Sequence, residues 1–379
     1  MKALIDRKDF PASHNSTYLN AASVALMLQG AADAVIEWQK DLRDYGTLHF
    51  DELAEEKIYE DLRRVAARLF NVQADDIAVG SSATELLASL AWAVDLDPGS
   101  NIVSTDVVFP STIYPWTRVA RRSGSEIRLA KGKDGYIRPA DVIELIDDQT
   151  KVVCISHVEF RTGQRYALKK FADAAHAVNA LLIVDATQSA GMLPIDARAS
   201  SVDALISAAY KWLCGPFGVA VMYITPDLQK KLYPGLLGWR SHKDIWDLRA
   251  NRLSLPNTAK RFEFSTMAYG SALGLAQSID YLLQVGIENI FAYTTDLADM
   301  LIKGLSERGV EIMSPESDDE RTAIVTARFP GKDSAEVTGY LNANHVVVSQ
   351  RGAYVRFSPH LYNQAADIAK ALEVIDQII

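Results

Sequence analysis

Ser207-Ala-Ala-Tyr-Lys-Trp-Leu-Cys-Gly-Pro-Phe-Gly218 is the stretch on which the reading of this chain turns. Lys211 stands between two apolar, strand-like runs, Asp203-Ala-Leu-Ile-Ser207 and Gly218-Val-Ala-Val-Met-Tyr-Ile224, and opens a glycine-rich turn. An ammonium group held between such strands is partly desolvated, which lowers its pKa and frees the amine to form a Schiff base with an aldehyde. Upstream, the apolar run Leu181-Leu-Ile-Val184 ends in Asp185, with Gln188 three residues on. A carboxylate at the end of a buried strand is what a protonated pyridine nitrogen requires, and Gln188 is placed to reach a ring hydroxyl. Together these residues point to pyridoxal 5'-phosphate (PLP) carried on Lys211. Singly, the lysine reads as solvated and the aspartate as a helix N-cap. The signal is their order: an acid-ended strand, a following strand, then a lysine before Gly-Pro-x-Gly.

Around this stretch the chain alternates. Short β-branched runs at 77–80, 101–105, 151–156, 180–184, 203–207 and 218–224 are separated by helical stretches such as Leu86–Val94, Pro139–Ile146 and Leu168–Asn179. This order predicts right-handed crossovers and an α/β fold with a parallel sheet flanked by helices. The apolar positions 168, 171, 172, 175 and 178 keep helical spacing, which turns one face of that helix to the sheet and leaves His176 outside. The candidate site residues fall after strand ends, where open α/β sheets bind ligands. Beyond about residue 255 the pattern shifts to long helices over Ser271–Val285 and Phe291–Arg308, with short strands near 323–328 and 354–358. The expected division is a large cofactor-binding domain over 16–255 and a smaller α+β domain over 256–379 joined by the N-terminal arm 1–15.

Several segments resemble the class V aminotransferase family, the fold type I PLP enzymes that include cysteine desulfurases and kynureninases; the resemblance covers nearly the whole chain and implies a large domain with a mostly parallel seven-stranded sheet. Gly80-Ser-Ser-Ala-Thr-Glu85 is similar to the family's phosphate turn, where Ser82, Ala83 and Thr84 would hold the cofactor phosphate at a helix N-terminus. Phe109-Pro-Ser-Thr-Ile-Tyr114 resembles a kynureninase segment whose phenylalanine stacks on the pyridine ring. Arg261-Phe-Glu-Phe-Ser-Thr266 and Gly238-Trp-Arg-Ser-His242 resemble segments that reach a partner subunit's phosphate, so Thr266 and Trp239 imply a homodimer with shared active sites. Arg351-Gly-Ala-Tyr-Val-Arg356 is similar to the segment that binds the substrate α-carboxylate. Arg356 is the expected clamp, because a planar guanidinium meets a carboxylate with two parallel hydrogen bonds, and Arg351 is a second candidate. Tyr18-Leu-Asn-Ala-Ala22 resembles the N-terminal arm that borders the substrate pocket, which makes Asn20 a substrate-side candidate.

Departures from the family narrow the expected chemistry. The loop Val346-Val-Val-Ser-Gln-Arg351 ahead of Arg356 carries no cysteine. The expectation is therefore that the chain is not a cysteine desulfurase working through a persulfide cysteine. Cys154 and Cys214, the only two cysteines, read as small core residues. The family's Ser-x-His-Lys element stands here as Ala208-Ala-Tyr-Lys211, with Tyr210 in place of the histidine and no serine hydroxyl. Phe160 replaces an asparagine of the desulfurases. Three readings follow: first an aminotransferase-like enzyme acting on an α-amino acid; second a carbon-sulfur or carbon-carbon β-lyase of the cyst(e)ine lyase or kynureninase type; third a PLP-binding protein without turnover.

Composition frames these readings. A chain of 379 residues, 49% hydrophobic, is long enough to bury a large core. A net charge of -9 with no basic stripe argues against nucleic acid. Two cysteines, no metal-ligand spacing, no apolar stretch of bilayer length and a polar Met1–Phe10 predict a reduced, soluble, cytoplasmic protein without membrane contact.

Overall fold

The computed structural model describes residues 2–379. Its strands are β1 (Thr17–Tyr18), β2 (Ile77–Gly80), β3 (Asn101–Thr105), β4 (Glu126–Ala130), β5 (Thr150–Ser156), β6 (Leu181–Asp185), β7 (Ala204–Ala208), β8 (Ala220–Ile224), β9 (Glu311–Ile312), β10 (Val325–Arg328), β11 (Val346–Val347), β12 (Ser349–Arg351) and β13 (Tyr354–Phe357). Seven of them form one sheet in the order β2-β8-β7-β6-β5-β3-β4. Within it β8 runs antiparallel to its neighbours β2 and β7, and the remaining pairs are parallel. The mostly parallel seven-stranded sheet that the resemblance implies is thus present.

Central strands read as continuous apolar runs because both faces are covered. Along β5 and β6, Val153, Ile155, Leu182 and Val184 point into one apolar layer, whereas Val152, Cys154 and Ile183 point into the other. Each fully buried aliphatic side chain of this kind contributes roughly 1.5–3 kcal/mol. The strand over Glu126–Ala130 was absent from the apolar runs named in the sequence. It lies at the sheet edge and alternates charged with apolar residues, so its burial is partial.

A second sheet, β12-β13-β10-β9, is antiparallel and packs with the helices Ile287–Ser306 and Ala365–Ile375 around a third core that includes Leu297, Leu301, Val325, Val355 and Phe357. The N-terminal arm joins this region: β1 pairs in parallel with β11, and Asn20 bridges to Ser358. The arm then crosses to the large sheet, where the Ala25 N–H donates to the Tyr210 carbonyl at 2.9 Å. Among the described residues, no helix is long and apolar enough to cross a membrane.

Candidate active site

The C-terminal ends of the parallel strands converge on one cavity. Its walls include Ser82, Ala83 and Thr84 from the turn and helix start after β2, Phe109 after β3, Asp185 at the end of β6 with Gln188 beyond it, and Tyr210 and Lys211 after β7.

Lys211 is buried, with its Nζ 5.3 Å from the centre of the Phe109 ring. Burial pushes its pKa down to about 8; the nearby Asp185 carboxylate opposes that shift, while Arg356 and Arg351 add to it. The tight turn that fixes this lysine needs Gly191, whose φ is 90°, because a Cβ there would stand 2.3 Å from the Trp212 carbonyl oxygen. Asp185 is also buried. Thr112 Oγ1 donates to its Oδ2 at 2.9 Å, and the Thr187 N–H donates to its Oδ1 at 2.9 Å. Thr112 lay inside the quoted Phe109–Tyr114 motif, but its role was not legible because nothing local says which way a first-turn threonine faces.

Ser82 caps the helix Ala83–Ala93 by accepting from the Glu85 N–H at 3.1 Å. The first-turn amides of this helix carry the partial positive charge that attracts an anion. Thr84 Oγ1 donates to Ser111 Oγ at 2.9 Å. Tyr210 is half-buried and stacks on Phe217 at 4.6 Å between centroids, with its phenol in the cavity wall. Phe109 stays substantially exposed and meets Phe160 edge to face at 5.4 Å. A buried amine, an oriented buried carboxylate, an open aromatic face and free helix amides in one cavity are a donor set that fits PLP.

Gln188 lines the same cavity, yet both ends of its amide are engaged elsewhere. Its Nε2 donates to the Ala22 carbonyl at 2.9 Å, and its Oε1 accepts from Trp212 Nε1 at 2.8 Å. It ties the N-terminal arm to the lysine turn, a role the sequence gave no sign of. Trp239 and Thr266 are not in this cavity wall; Trp239 Nε1 donates to Thr266 Oγ1 at 3.1 Å, so the two segments meet each other at an exposed position.

Arg356 lies on β13 and is fully buried. It donates to the carbonyl of Phe160, a cavity-wall residue, at 2.5 Å and to Ser23 Oγ at 2.7 Å, and burial holds its pKa well below the ordinary arginine value. Arg351 donates to the same Ser23 Oγ at 2.7 Å. Asn20 accepts from Ser349 Oγ at 2.6 Å beside this group. Ser23 is a residue that sequence reasoning passed over, although it lies three positions beyond Asn20.

Behind the cavity wall, Glu159 is fully buried; Tyr166 and Thr105 donate to its Oε1, and its Oε2 has no partner among the described residues. Burial pushes its carboxyl up to about 8. Cys154 and Cys214 are both buried, and burial raises both thiols above the ordinary range. Among the described residues, no group of three or more His, Cys, Asp or Glu is placed to hold a metal ion.

Comparison with known proteins places this geometry. The family described as Aminotransferase class-V matches residues 17–370. A probable cysteine desulfurase of Pyrococcus abyssi is 26% identical over 98% of this chain and 96% of its own length. Among solved structures, the apo cysteine desulfurase of Thermococcus onnurineus covers 98% of this chain and 97% of its own at a TM-score of 0.89 and 24% identity. A C-DES variant with glycine covalently linked to its PLP cofactor covers 98% and 99%, at a TM-score of 0.88 and 23% identity.

These findings correct one expectation. The loop ahead of Arg356 led to an aminotransferase-like or β-lyase reading that excluded cysteine desulfurases, and relatives named cysteine desulfurases along nearly the full length overturn it. One loop can vary while the cofactor machinery of the whole sheet stays, so a single missing residue weighed less than the chain-long likeness. PLP is the cofactor of this enzyme, and the chain belongs to the aminotransferase class-V family.

Proposed function

We propose that this PLP enzyme acts on a small α-amino acid with cysteine desulfurase-type chemistry, cysteine being the substrate that the names of its relatives suggest. The observation that carries the proposal is the buried Lys211 amine, lowered to about 8, in the same cavity as Asp185 and the amides of the Ala83–Ala93 helix. When bound, PLP supplies an electron sink that weakens the bonds at the substrate Cα.

The chain's own residues account for the rest. Lys211 would carry the cofactor, and its Nζ would move a proton at the substrate Cα. Asp185, held by Thr112 and Thr187, presents its carboxylate to the ring nitrogen. Ser82, Ala83 and Thr84 would hold the phosphate, and Phe109 would offer the stacking face. Arg356 takes the α-carboxylate, which fixes the orientation of the bond to be broken. Trp239 and Thr266, joined to each other outside the cavity, would serve the phosphate of a second copy in a homodimer.

Borohydride treatment of the PLP-loaded protein, followed by peptide mapping, tests the assignment. The expected label lies on Lys211, with none in Lys211→Ala. Incubated with L-cysteine and excess dithiothreitol, the loaded protein should form alanine, with the dithiol taking the cysteine sulfur and closing to its cyclic disulfide as sulfide leaves. A wild-type chain that takes up PLP yet shows no label on Lys211 would overturn the proposal.

A further inference from the structure

Arg351 and Arg356 converge on one oxygen: Nη2 of each donates to Ser23 Oγ at 2.7 Å. Ser349 Oγ donates to Asn20 Oδ1 at 2.6 Å, so in its 2.8 Å contact with Ser23 Oγ it is Ser23 that donates. A hydroxyl has one proton and two lone pairs, and at Ser23 all three are then in use. The other guanidinium bonds go to the carbonyls of Phe160 and Gln350. Every partner in this network is neutral, although two cations stand within two hydrogen-bond lengths of each other. Arg356 is fully buried, and its Nε–H lacks an acceptor among the described residues.

Like charges gathered in a poorly solvated site call for a counter-ion, and one carboxylate offsets only one of the two. Neither arginine is in the cavity wall itself, and the pair is joined to that wall through the residues it bonds. Ser23 sits on an arm segment tied to the cofactor cavity at Ala22 by Gln188 and at Ala25 by Tyr210. Phe160, whose carbonyl receives Arg356, forms part of the cavity wall. Both cations are also close enough to act on the Lys211 amine.

We infer that the site takes α-amino acids whose side chain is itself anionic, with Arg356 on the α-carboxylate and the less deeply buried Arg351 on the second anion. This rests on the PLP reading above and specifies the substrate class of that site. Amino acids with a side-chain carboxylate are the simplest members of the class, and cysteine belongs to it as the thiolate. Ser23 is the positioning residue: it holds the two guanidiniums at a fixed spacing and gives each a neutral partner when no substrate is bound.

Calorimetric titration of the PLP-loaded protein with succinate and with butyrate tests the inference, because the two probes share a chain length and differ by one carboxylate. Succinate should bind at least about tenfold more tightly. In Arg351→Gln that preference should vanish, with butyrate affinity unchanged, and Arg351→Lys should keep part of it. Arg356→Gln should weaken both probes. Equal affinities in the wild type, or a succinate preference intact in Arg351→Gln at an unaltered unfolding midpoint, would overturn the inference. Cofactor absorbance read in the same samples separates the two proposals: a chain that fails to load PLP while retaining an Arg351-dependent succinate preference removes the cofactor reading and leaves the arginine pair standing.

Discussion

Trp212 donates its indole N–H to Gln188 Oε1 at 2.8 Å, and both residues are buried. The bond joins the turn that carries Lys211 to the segment that follows Asp185. It therefore fixes the distance between the amine and the carboxylate on which the site depends. Through its Nε2, Gln188 extends the same restraint to the Ala22 carbonyl of the N-terminal arm.

Removing the donor should be costly. Trp212→Phe leaves Gln188 Oε1 buried without a partner, a loss of about 1–3 kcal/mol in unfolding free energy, and it should speed PLP release. Urea unfolding measures the first effect and cofactor absorbance after dilution the second. Gln188→Leu should cost at least as much, because it leaves both the Trp212 indole N–H and the Ala22 carbonyl without their partner. A Trp212→Phe protein as stable as the wild type would show that this bond does not hold the turn.

The lowered pKa of Lys211 predicts an unusual pH dependence for cofactor uptake. Only the neutral amine attacks an aldehyde, and a lysine titrating at about 8 is already half neutral at pH 8. The rate at which cofactor-free protein captures PLP should then rise about fivefold from pH 7 to 8 and less than about twofold from pH 8 to 9. An ordinary lysine would gain about tenfold over each unit. Stopped-flow absorbance across this range distinguishes the two, and a tenfold rise at every step would mean that the amine is solvated.

How far the sequence carried this reading depended on whether a residue's role was local. The acid-ended strand, the lysine turn and the Ser82–Thr84 helix start were legible because strand ends and helix caps leave marks within a few residues. Asp185, Phe109, Tyr210 and Lys211 accordingly meet in one cavity. The engagement of Gln188 with Ala22 and Trp212, the hub at Ser23 and the buried Glu159 were not legible. Each depends on contacts between segments far apart in the chain, as between Ser23 and Arg356, and no local pattern encodes such a contact. The edge strand Glu126–Ala130 escaped for a different reason, since partial burial mixes charged with apolar residues and blurs the strand signal.

Glu263, in the middle of the quoted Arg261–Thr266 segment, yields the last prediction. Its two carboxylate oxygens each accept from Arg63 Nη1 at 2.9 Å, and its Oε1 also accepts from the Val79 N–H at 3.0 Å. Both side chains are almost wholly buried. Val79 belongs to β2, the edge strand that leads into the phosphate turn, so Glu263 satisfies a backbone donor there in place of a further strand. Deleting one partner of a buried ion pair strands the other, which costs roughly 3–5 kcal/mol. Glu263→Gln should show much of that loss while keeping an acceptor for Val79. Glu263→Ala removes the acceptor as well, so it should release PLP faster than Glu263→Gln does. Unfolding midpoints and cofactor off-rates of the two variants make the comparison; equal off-rates would mean that the phosphate turn stands without this contact.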